Sequence, residues 1–269
     1  MIVVLKRRTL VVLVIGMALL ITCVISIASL VDKANAAPTA ATERRLPVYS
    51  VQRDDKVLAI SFDAAWGADK TQGILDCLRE QDAKATFFLT GFWIEKYPDM
   101  VRAIDRAGME IANHSDNHLM NTKLGAEELT REIVTVNDMI RELTGKTPRY
   151  YRCPFGDYND GVIAGVEALG MQAIQWSIDS LDWKGLSAAE LESRIIPKAG
   201  NGDIILCHNN SDHILDALPT ILSRLKEAGY TFVTMSELVY ADNYHIDHNG
   251  RQIPDERSKE NTTEQGENR

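Results

Sequence analysis

The stretch Ala107-Gly108-Met109-Glu110-Ile111-Ala112-Asn113-His114-Ser115-Asp116-Asn117-His118 contains the junction that decides the fold. Gly108 follows an apolar-periodic helix, as a left-handed helix cap requires, and residues 109–113 then form a short β-like run. The same order of helix, glycine and strand recurs at Gly170 and Gly229. Strands that alternate with helices at this spacing predict an α/β fold with parallel strands and helical crossovers.

Further along the chain in both directions, the same pattern defines the other elements. Residues 126–143 carry apolar side chains at intervals of four and three, which predicts a helix with one buried stripe. A doubly wound sheet and a barrel both fit alternating elements, and about seven units favour a distorted (β/α) barrel. The predicted strands are 57–62, 86–89, 110–113, 149–152, 172–178, 203–207 and 231–234.

Composition limits the classes of protein to which the chain could belong. The 269 residues are 45% hydrophobic and 25% charged, which is typical of a globular domain with a sizeable core. The formal net charge is -9, and the only basic run lies near the N-terminus. The sequence therefore lacks the basic surface that nucleic-acid binding requires.

The N-terminal sequence predicts export from the cytoplasm. Lys6-Arg7-Arg8 precedes an apolar run over 9–31, which fits either a cleaved signal peptide or a membrane anchor. Both possibilities place the folded part outside the cytoplasm, and an uncleaved segment would attach it to the membrane. We predict a signal or anchor over 1–36, a linker over 37–45, a barrel over 46–245 and a disordered tail over 246–269.

The cysteines and the last histidines are predicted to lie outside the chemistry. The folded part carries three cysteines, Cys77, Cys153 and Cys207, an odd number that argues against a disulfide framework and favours buried, space-filling thiols. His245 and His248 belong to the polar C-terminal region and are predicted not to be site residues.

Polar side chains recur where the predicted strands end. The carboxyl ends of parallel barrel strands meet at one rim, so these side chains are expected to lie together. His114 and His118 are four residues apart, and a helical turn would aim both imidazoles at one point able to hold a divalent metal. The residues at the strand ends are Asp63, His114, Arg152, Asp179, Asp182 and His208.

These residues belong to an ordered set of short motifs. The set resembles the five motifs of the polysaccharide deacetylase family, or NodB homology domain, over residues 56–238. The sequences in and around these motifs are most similar to those of the sporulation-associated branch of bacilli and clostridia. In chain order the motifs are Ser61-Phe62-Asp63, His114-Ser115-Asp116-Asn117-His118, Arg152-Cys153-Pro154-Phe155-Gly156, Asp179-Ser180-Leu181-Asp182-Trp183 and Leu206-Cys207-His208.

The resemblance implies a distorted barrel that removes acetyl groups from N-acetylated cell-wall sugars with the help of a divalent metal, zinc in our prediction. His114 and His118 correspond to metal ligands, and the metal would polarise the amide and activate a water. Asp63 corresponds to the general base. His208 corresponds to the general acid, with its pKa tuned by Asp182. The implied partner is a cell-wall polysaccharide, either peptidoglycan or a polymer of N-acetylglucosamine.

The resemblance also implies supporting roles. Arg152 would hold Asp63 ionised, Asp179 would support Arg152, and the backbone N–H of Phe155 would stabilise an oxyanion. Trp183 and Leu206 would form walls of the acetyl pocket. The predicted sugar groove contains Trp66, Trp93, Phe155, Asp157, Tyr158, Trp183 and Leu206.

One position departs from the pattern of active members. Those members have Asp-Asp in the first motif, and this chain has Asp63-Ala64, so one expected metal ligand is missing. Asp63 could bind the metal instead, another carboxylate such as Asp116 could substitute, or the site could fill only with substrate. Two functions therefore remain open, which are a deacetylase and a non-catalytic glycan-binding protein on the same fold.

Overall fold

The computed structural model describes residues 44–255, together with Met17, Leu20–Thr22 and Ser26, which are helical. The chain divides into two compact units, residues 1–44 and 45–269, and the second contains the elements described below. In the parts of the chain that the structure describes, no helix is long and apolar enough to span a membrane. Most of the predicted signal or anchor and of the linker lies outside the described residues.

A parallel, curled sheet forms the centre of the second unit. From one edge to the other its strands cover residues 172–173, 150–151, 110–113, 85–89, 57–64, 204–208 and 178–179, and residues 231–232 pair with the start of the strand over 57–64. The predicted strand over 110–113 is confirmed, and most of the others begin or end one to three residues from their predicted bounds. The strands are β1 Ser50–Val51, β2 Val57–Ala64, β3 Ala85–Leu89, β4 Glu110–Asn113, β5 Tyr150–Tyr151, β6 Gln172–Ala173, β7 Ile178–Asp179, β8 Ile204–His208, β9 Thr231–Phe232, β10 Tyr244–Ile246 and β11 Arg251–Pro254.

Helices cover the outer face of this sheet. The predicted helix over 126–143 is confirmed as Ala126–Thr144, with Leu129, Ile133, Val136 and Ile140 buried along one face. The helices are α1 Thr71–Glu80, α2 Gly91–Lys96, α3 Pro98–Arg106, α4 Ala126–Thr144, α5 Asp160–Ala168, α6 Ala188–Ile195, α7 Ile214–Glu227 and α8 Met235–Leu238.

The predicted strand over 172–178 is split, and the split brings the two edges of the sheet together. Its ends form β6 and β7, which lie on opposite edges. Between them Ile174 bridges to Val48, whose N–H donates to Ala173 and whose carbonyl accepts from Gln175. Residues 174–177 therefore cross the gap between the two sheet edges, which gives the predicted distorted barrel.

Alternation along β2 separates two cores. Ile60 and Phe62 belong to the apolar cluster packed against the outer helices, whereas Ala59 belongs to the cluster that includes Phe88. Period-two alternation places Ser61 and Asp63 on the same face as Ala59. The strand thus delivers Asp63 to the inside of the barrel at its carboxyl end.

The prediction that residues 246–255 are disordered is wrong. β10 and β11 form an antiparallel pair, and β11 extends the short strand β1 in parallel. Gln252 is fully buried and its side-chain amide bonds both the N–H and the carbonyl of Tyr240. Hydrogen bonds rather than apolar periodicity order this segment, which explains why composition did not reveal it. Residues 256–269 lie outside the described residues.

Candidate active site

A pocket of about 600 Å³ opens at the carboxyl ends of the strands. It collects side chains that are far apart in sequence, as the barrel topology predicts. Arg152 lies beneath it, fully buried. The pocket is lined by Asp63, Ala65, Trp66, His114, His118, Cys153, Phe155, Gly156, Trp176, Asp179, Asp182, Trp183, Gly185, Leu206, His208, Asn210, Ser211 and Asp212.

A buried ion pair fixes the carboxylate of Asp63. Arg152 Nη1 donates to Asp63 Oδ1 at 2.7 Å and to Ser61 Oγ at 2.9 Å. Asp63 is 6% exposed and Arg152 is 0% exposed. Burial acts to raise the pKa of Asp63, but the positive charge of Arg152, that of His208 and the hydrogen bond from Arg152 outweigh it and hold that pKa below its ordinary value. Asp63 is therefore ionised at neutral pH.

A second pair lies on the other side of the pocket. Asp182 Oδ1 is 2.7 Å from His208 Nδ1, and the backbone N–H of His208 donates to Asp182 Oδ2 at 2.7 Å. Burial acts to lower the pKa of His208, but the hydrogen bond and charge of Asp182 raise it above its ordinary value. His208 is therefore a protonated donor over a wider pH range than a free histidine.

The two histidines of the second motif approach each other without a helical turn, which corrects the prediction. Residues 114–118 form a loop, in which Ser115 (φ 71°) and His118 (φ 54°) adopt left-handed conformations. The ring centroids are 4.9 Å apart. The left-handed residues bend the loop sharply enough to bring the rings together, which a single-sequence spacing rule does not anticipate.

Glu132 on α4 holds this loop in place. Its carboxylate accepts from Ser115 Oγ at 2.6 Å, from the Asn117 N–H at 2.8 Å and from Asn117 Nδ2 at 2.7 Å. Asn113 Oδ1 accepts from the Ser115 N–H at 2.8 Å. These bonds stabilise the left-handed loop conformation. Sequence reasoning missed Glu132, although a charged residue beside Leu129 on the buried stripe of a helix was a visible signal.

Both imidazoles are held in the neutral form. His114 Nδ1 lies 2.9 Å from the Arg152 carbonyl, so it carries the proton, and Nε2 faces Asp63 Oδ2 at 3.4 Å. Burial lowers the pKa of His114. Burial, followed by the charge of His114, lowers the pKa of His118 to about 4. Neutral imidazole is the form that binds a divalent metal.

The described residues do not bring a set of three metal-binding side chains together at the two imidazoles. Among residues 44–255 no group of three or more His, Cys, Asp or Glu side chains is arranged to hold a metal ion. Ala64 is fully buried in the outer apolar cluster. Asp116, considered as a substitute, is not in the pocket lining, because its Oδ1 lies over Gly91, where no Cβ would fit. The residues present therefore fit a divalent metal as two of its ligands and do not complete a three-ligand set.

The prediction that Asp179 supports Arg152 is wrong. Asp179 lines the pocket, but its Oδ1 accepts from the Leu181 N–H at 2.8 Å. In the described part of the chain, the Arg152 guanidinium donates to the side chains of Ser61 and Asp63 and to the backbone carbonyl of Gln175. Sequence reasoning missed the Gln175 carbonyl because backbone acceptors leave no sequence signal.

Three predicted groove residues lie away from the pocket. Asp157 accepts from the N–H and hydroxyl of Thr122 at 2.8 Å each. Tyr158 pairs its hydroxyl with that of Tyr49 at 3.0 Å. Trp93 is fully buried and donates to the Gly67 carbonyl. In contrast, Trp176 lines the pocket and was missed, because nothing in its sequence neighbourhood marks it.

The cysteines agree with the prediction of buried, unpaired thiols. Cys77, Cys153 and Cys207 are free and buried. Burial raises the pKa of Cys153 to about 12 and that of Cys77 to about 11. These thiols therefore stay protonated at neutral pH and are poor nucleophiles.

Comparisons with known proteins agree with this geometry. The family profile described as polysaccharide deacetylase matches residues 50–174. A peptidoglycan-N-acetylglucosamine deacetylase of Bacillus cereus is 34% identical over 196 residues, covering 71% of this chain and 92% of that protein. The chain is also 30% identical to YlxY of Bacillus subtilis, a protein described as uncharacterized. That match covers 72% of this chain but only 60% of the length of YlxY.

Solved structures share the fold. The crystal structure of BA3943, described as a CE4 family pseudoenzyme from Bacillus anthracis, is 30% identical with a TM-score of 0.70, covering 77% of this chain and 72% of that one. A mutant of BA3943 described as having restored enzymatic activity is 33% identical with a TM-score of 0.69, covering 73% and 71%. The predicted distorted (β/α) barrel is thereby confirmed.

Proposed function

Because the chain belongs to the polysaccharide deacetylase family, we propose that it hydrolyses N-acetyl groups on a cell-wall polysaccharide, either peptidoglycan or a polymer of N-acetylglucosamine. One observation carries the proposal. An ionised carboxylate, Asp63, and a histidine of raised pKa, His208, line the same pocket, and each is held by its own buried partner. Amide hydrolysis requires such a base and such an acid on the two sides of one carbonyl.

The chain's own residues divide the reaction as follows. Asp63 accepts a proton from the attacking water, whose oxygen bonds to the acetyl carbon. The resulting oxyanion is stabilised by the backbone N–H of Phe155. Phe155 has a left-handed backbone conformation (φ 59°), which turns the chain sharply at this residue. His208 then donates a proton to the departing amine as the C–N bond breaks, and acetate and a free amino sugar result. Asp182 stabilises the charged imidazole before that transfer.

Deacetylases of this family depend on a metal, and we propose zinc, with His114 and His118 as its ligands in this chain. A bound divalent metal would polarise the acetyl carbonyl and acidify the water. With only two imidazoles, zinc affinity should be lower than in a three-ligand site. His114 is oriented for this role through its bond to the Arg152 carbonyl, since ligand orientation by a second hydrogen bond is a general feature of metal-binding histidines.

We also propose that the protein works outside the cytoplasm. The N-terminal sequence supports this proposal by its basic flank and apolar run, whether it is cleaved or retained as an anchor. A cell-wall substrate requires the same location. A role in spore formation remains a proposal that rests on the motif phrasing alone.

The test is acetate release by the full chain, supplied with zinc, from N-acetylglucosamine oligomers and peptidoglycan fragments. Asp63→Asn should reduce the rate by about 10²- to 10⁴-fold, the usual contribution of a general base. It should also lower the free energy of unfolding by about 3 kcal/mol, because Arg152 loses its buried counter-charge. Asp157→Asn, outside the pocket, is the matched control and should keep its rate. Unchanged turnover in Asp63→Asn would exclude Asp63 as the base.

Ala64 favours a second function, glycan binding without turnover. The buried methyl replaces a family metal ligand, and the pseudoenzyme BA3943 has the same fold. In that case the pocket would bind the oligomers and release no acetate with any added divalent metal. The two functions are therefore separated by measuring glycan binding and acetate release on one sample.

A further inference from the structure

Aromatic side chains are exposed only around the pocket in the described part of the chain. Trp66 is 58% exposed, Phe155 is 65% exposed and Trp183 is 61% exposed, and all three line the pocket. The other Trp, Phe and Tyr side chains of residues 44–255 are buried or half-buried. Large apolar faces left in water around a pocket mark a binding surface.

Trp66 stands on a rigid support. The carbonyl of the next residue, Gly67, accepts from Trp93 Nε1 at 2.6 Å and from Asn209 Nδ2 at 2.8 Å. Lys70 Nζ donates to the Ser211 carbonyl at 2.9 Å. The loop that presents the indole is thus tied to a buried helix residue and to the loop after β8. A face held in this way loses little conformational entropy when a ligand binds to it.

The position of Trp66 relative to the reacting groups defines what it can contact. Its ring meets His118 edge-on at 5.0 Å, and Phe155 meets the same imidazole at 4.5 Å. Trp183 lies directly after Asp182, the partner of the acid. Trp66 therefore belongs to the histidine side of the pocket and Trp183 to the acid side, so a sugar whose acetamide reacts between them has an aromatic face on either side.

We propose that Trp66 is a specificity-determining residue that stacks on the sugar next to the reacting one. A pyranose ring presents a face of C–H groups, which packs on a flat indole. Trp66 would make the protein select oligosaccharides of N-acetylhexosamines over the monosaccharide. The inference rests on the proposed function for its ligand class, a glycan, and does not depend on turnover.

The test measures binding in the full chain carrying Asp63→Asn, so that no substrate is consumed. Tetra-N-acetylchitotetraose is titrated by calorimetry, and N-acetylglucosamine is titrated by NMR, which detects millimolar binding. Trp66→Leu keeps an apolar side chain but removes the flat face, and it should weaken tetramer binding by about 3- to 10-fold. Trp66→Phe should fall between Leu and Trp. Monosaccharide binding should not change in either variant.

Val134→Ala provides the control, because Val134 is an exposed apolar residue outside the pocket, and both affinities should stay the same. Equal weakening for monomer and tetramer, or no weakening for the tetramer, would overturn the role of Trp66. The outcome is separate from that for catalysis. If the protein releases no acetate but Trp66→Leu weakens binding of the tetramer alone, the role of Trp66 is supported and the deacetylase function is excluded. If the protein releases acetate and Trp66→Leu does not weaken tetramer binding selectively, the deacetylase function is supported and the role of Trp66 is excluded.

Discussion

Asp63 and Arg152 show how one residue pair can serve both the fold and the proposed chemistry. Removing two charges from water is costly, and replacing such a pair with apolar residues is often neutral or stabilising. Ser61 Oγ and the Gln175 carbonyl also accept from the guanidinium, which lies 3.9 Å from the centre of the Phe88 ring. The benefit of the pair is therefore an ionised carboxylate that is fixed in position at the pocket floor.

At position 64 we predict that Ala64→Asp raises zinc affinity and acetate release together. The new carboxylate would follow Asp63 at the strand end and supply a third ligand, so zinc affinity should rise by at least about 10-fold. Without metal the variant should unfold more readily than the parent, because Ala64 is fully buried and an unpaired carboxylate there is costly.

Calorimetric zinc titration and thermal unfolding with and without zinc measure these effects, and Ala189→Asp, at an exposed position outside the pocket lining, is the control. A gain in neither affinity nor rate would mean that the Ala64 side chain cannot reach the histidines from its apolar cluster.

The proposed general acid, His208, should control the alkaline side of the pH profile. His208 has a raised pKa, so activity should fall as pH rises through that value, when the imidazole loses its proton. Asp182→Asn removes the charge that raises this pKa, and the alkaline limb should move to lower pH. The same protonation stabilises the fold below the unfolded pKa of histidine, and this stabilisation is lost as pH rises through the folded pKa.

Acetate release measured across pH in the parent and in Asp182→Asn checks this prediction, with Asp212→Asn at the exposed pocket rim as the control. An unmoved alkaline limb in Asp182→Asn would assign that limb to another group.

At the scale of elements, α4 does more than cover the sheet. One face packs Leu129, Ile133, Val136 and Ile140 into the core, as the sequence period requires. The same face carries Glu132 to the loop after β4. A helix that is fixed by apolar packing thus positions the loop of His114 and His118, and the loop acquires its shape from a neighbouring element rather than from its own sequence.

Glu132→Ala should therefore disturb the loop more than the helix. The substitution removes the carboxylate that accepts three hydrogen bonds from Ser115 and Asn117. These donors lose their acceptor, so the free energy of unfolding should fall by about 2–3 kcal/mol. Amide hydrogen exchange should increase over 113–118, and zinc affinity should fall. Glu142→Ala, exposed on the same helix, is the control. Loss of stability with unchanged exchange in the loop would contradict the assigned role.

At the scale of the whole molecule, closure of the barrel depends on the two ends of the folded unit. Val48 bridges the split between β6 and β7, and β11 pairs with β1 only a few residues later. The segment that composition marked as a polar tail therefore supports the strand that closes the barrel.

Gln252→Ala tests this connection. The side chain is fully buried and satisfies both backbone groups of Tyr240, so its loss should cost about 1–3 kcal/mol. For a domain of this size the melting temperature should fall by roughly 2–12 °C. Thermal unfolding of the full chain measures the shift, and the exposed neighbour Arg251→Ala should change it little. An unchanged melting temperature would show that the C-terminal strands do not support the barrel.

The sequence by itself determined the repeating units and the rim at which polar residues gather, and the two charged pairs of the site were predicted from the resemblance of the motifs. Local periodicity and helix caps depend on neighbouring residues, and the topology then places every strand end at one rim. The rest was decided by tertiary structure. The split at 174–177, the left-handed loop of His118, the orientation of Asp116 over Gly91 and the ordered strand at Gln252 each depend on hydrogen bonds or contacts between distant segments, and no local pattern encodes those partners.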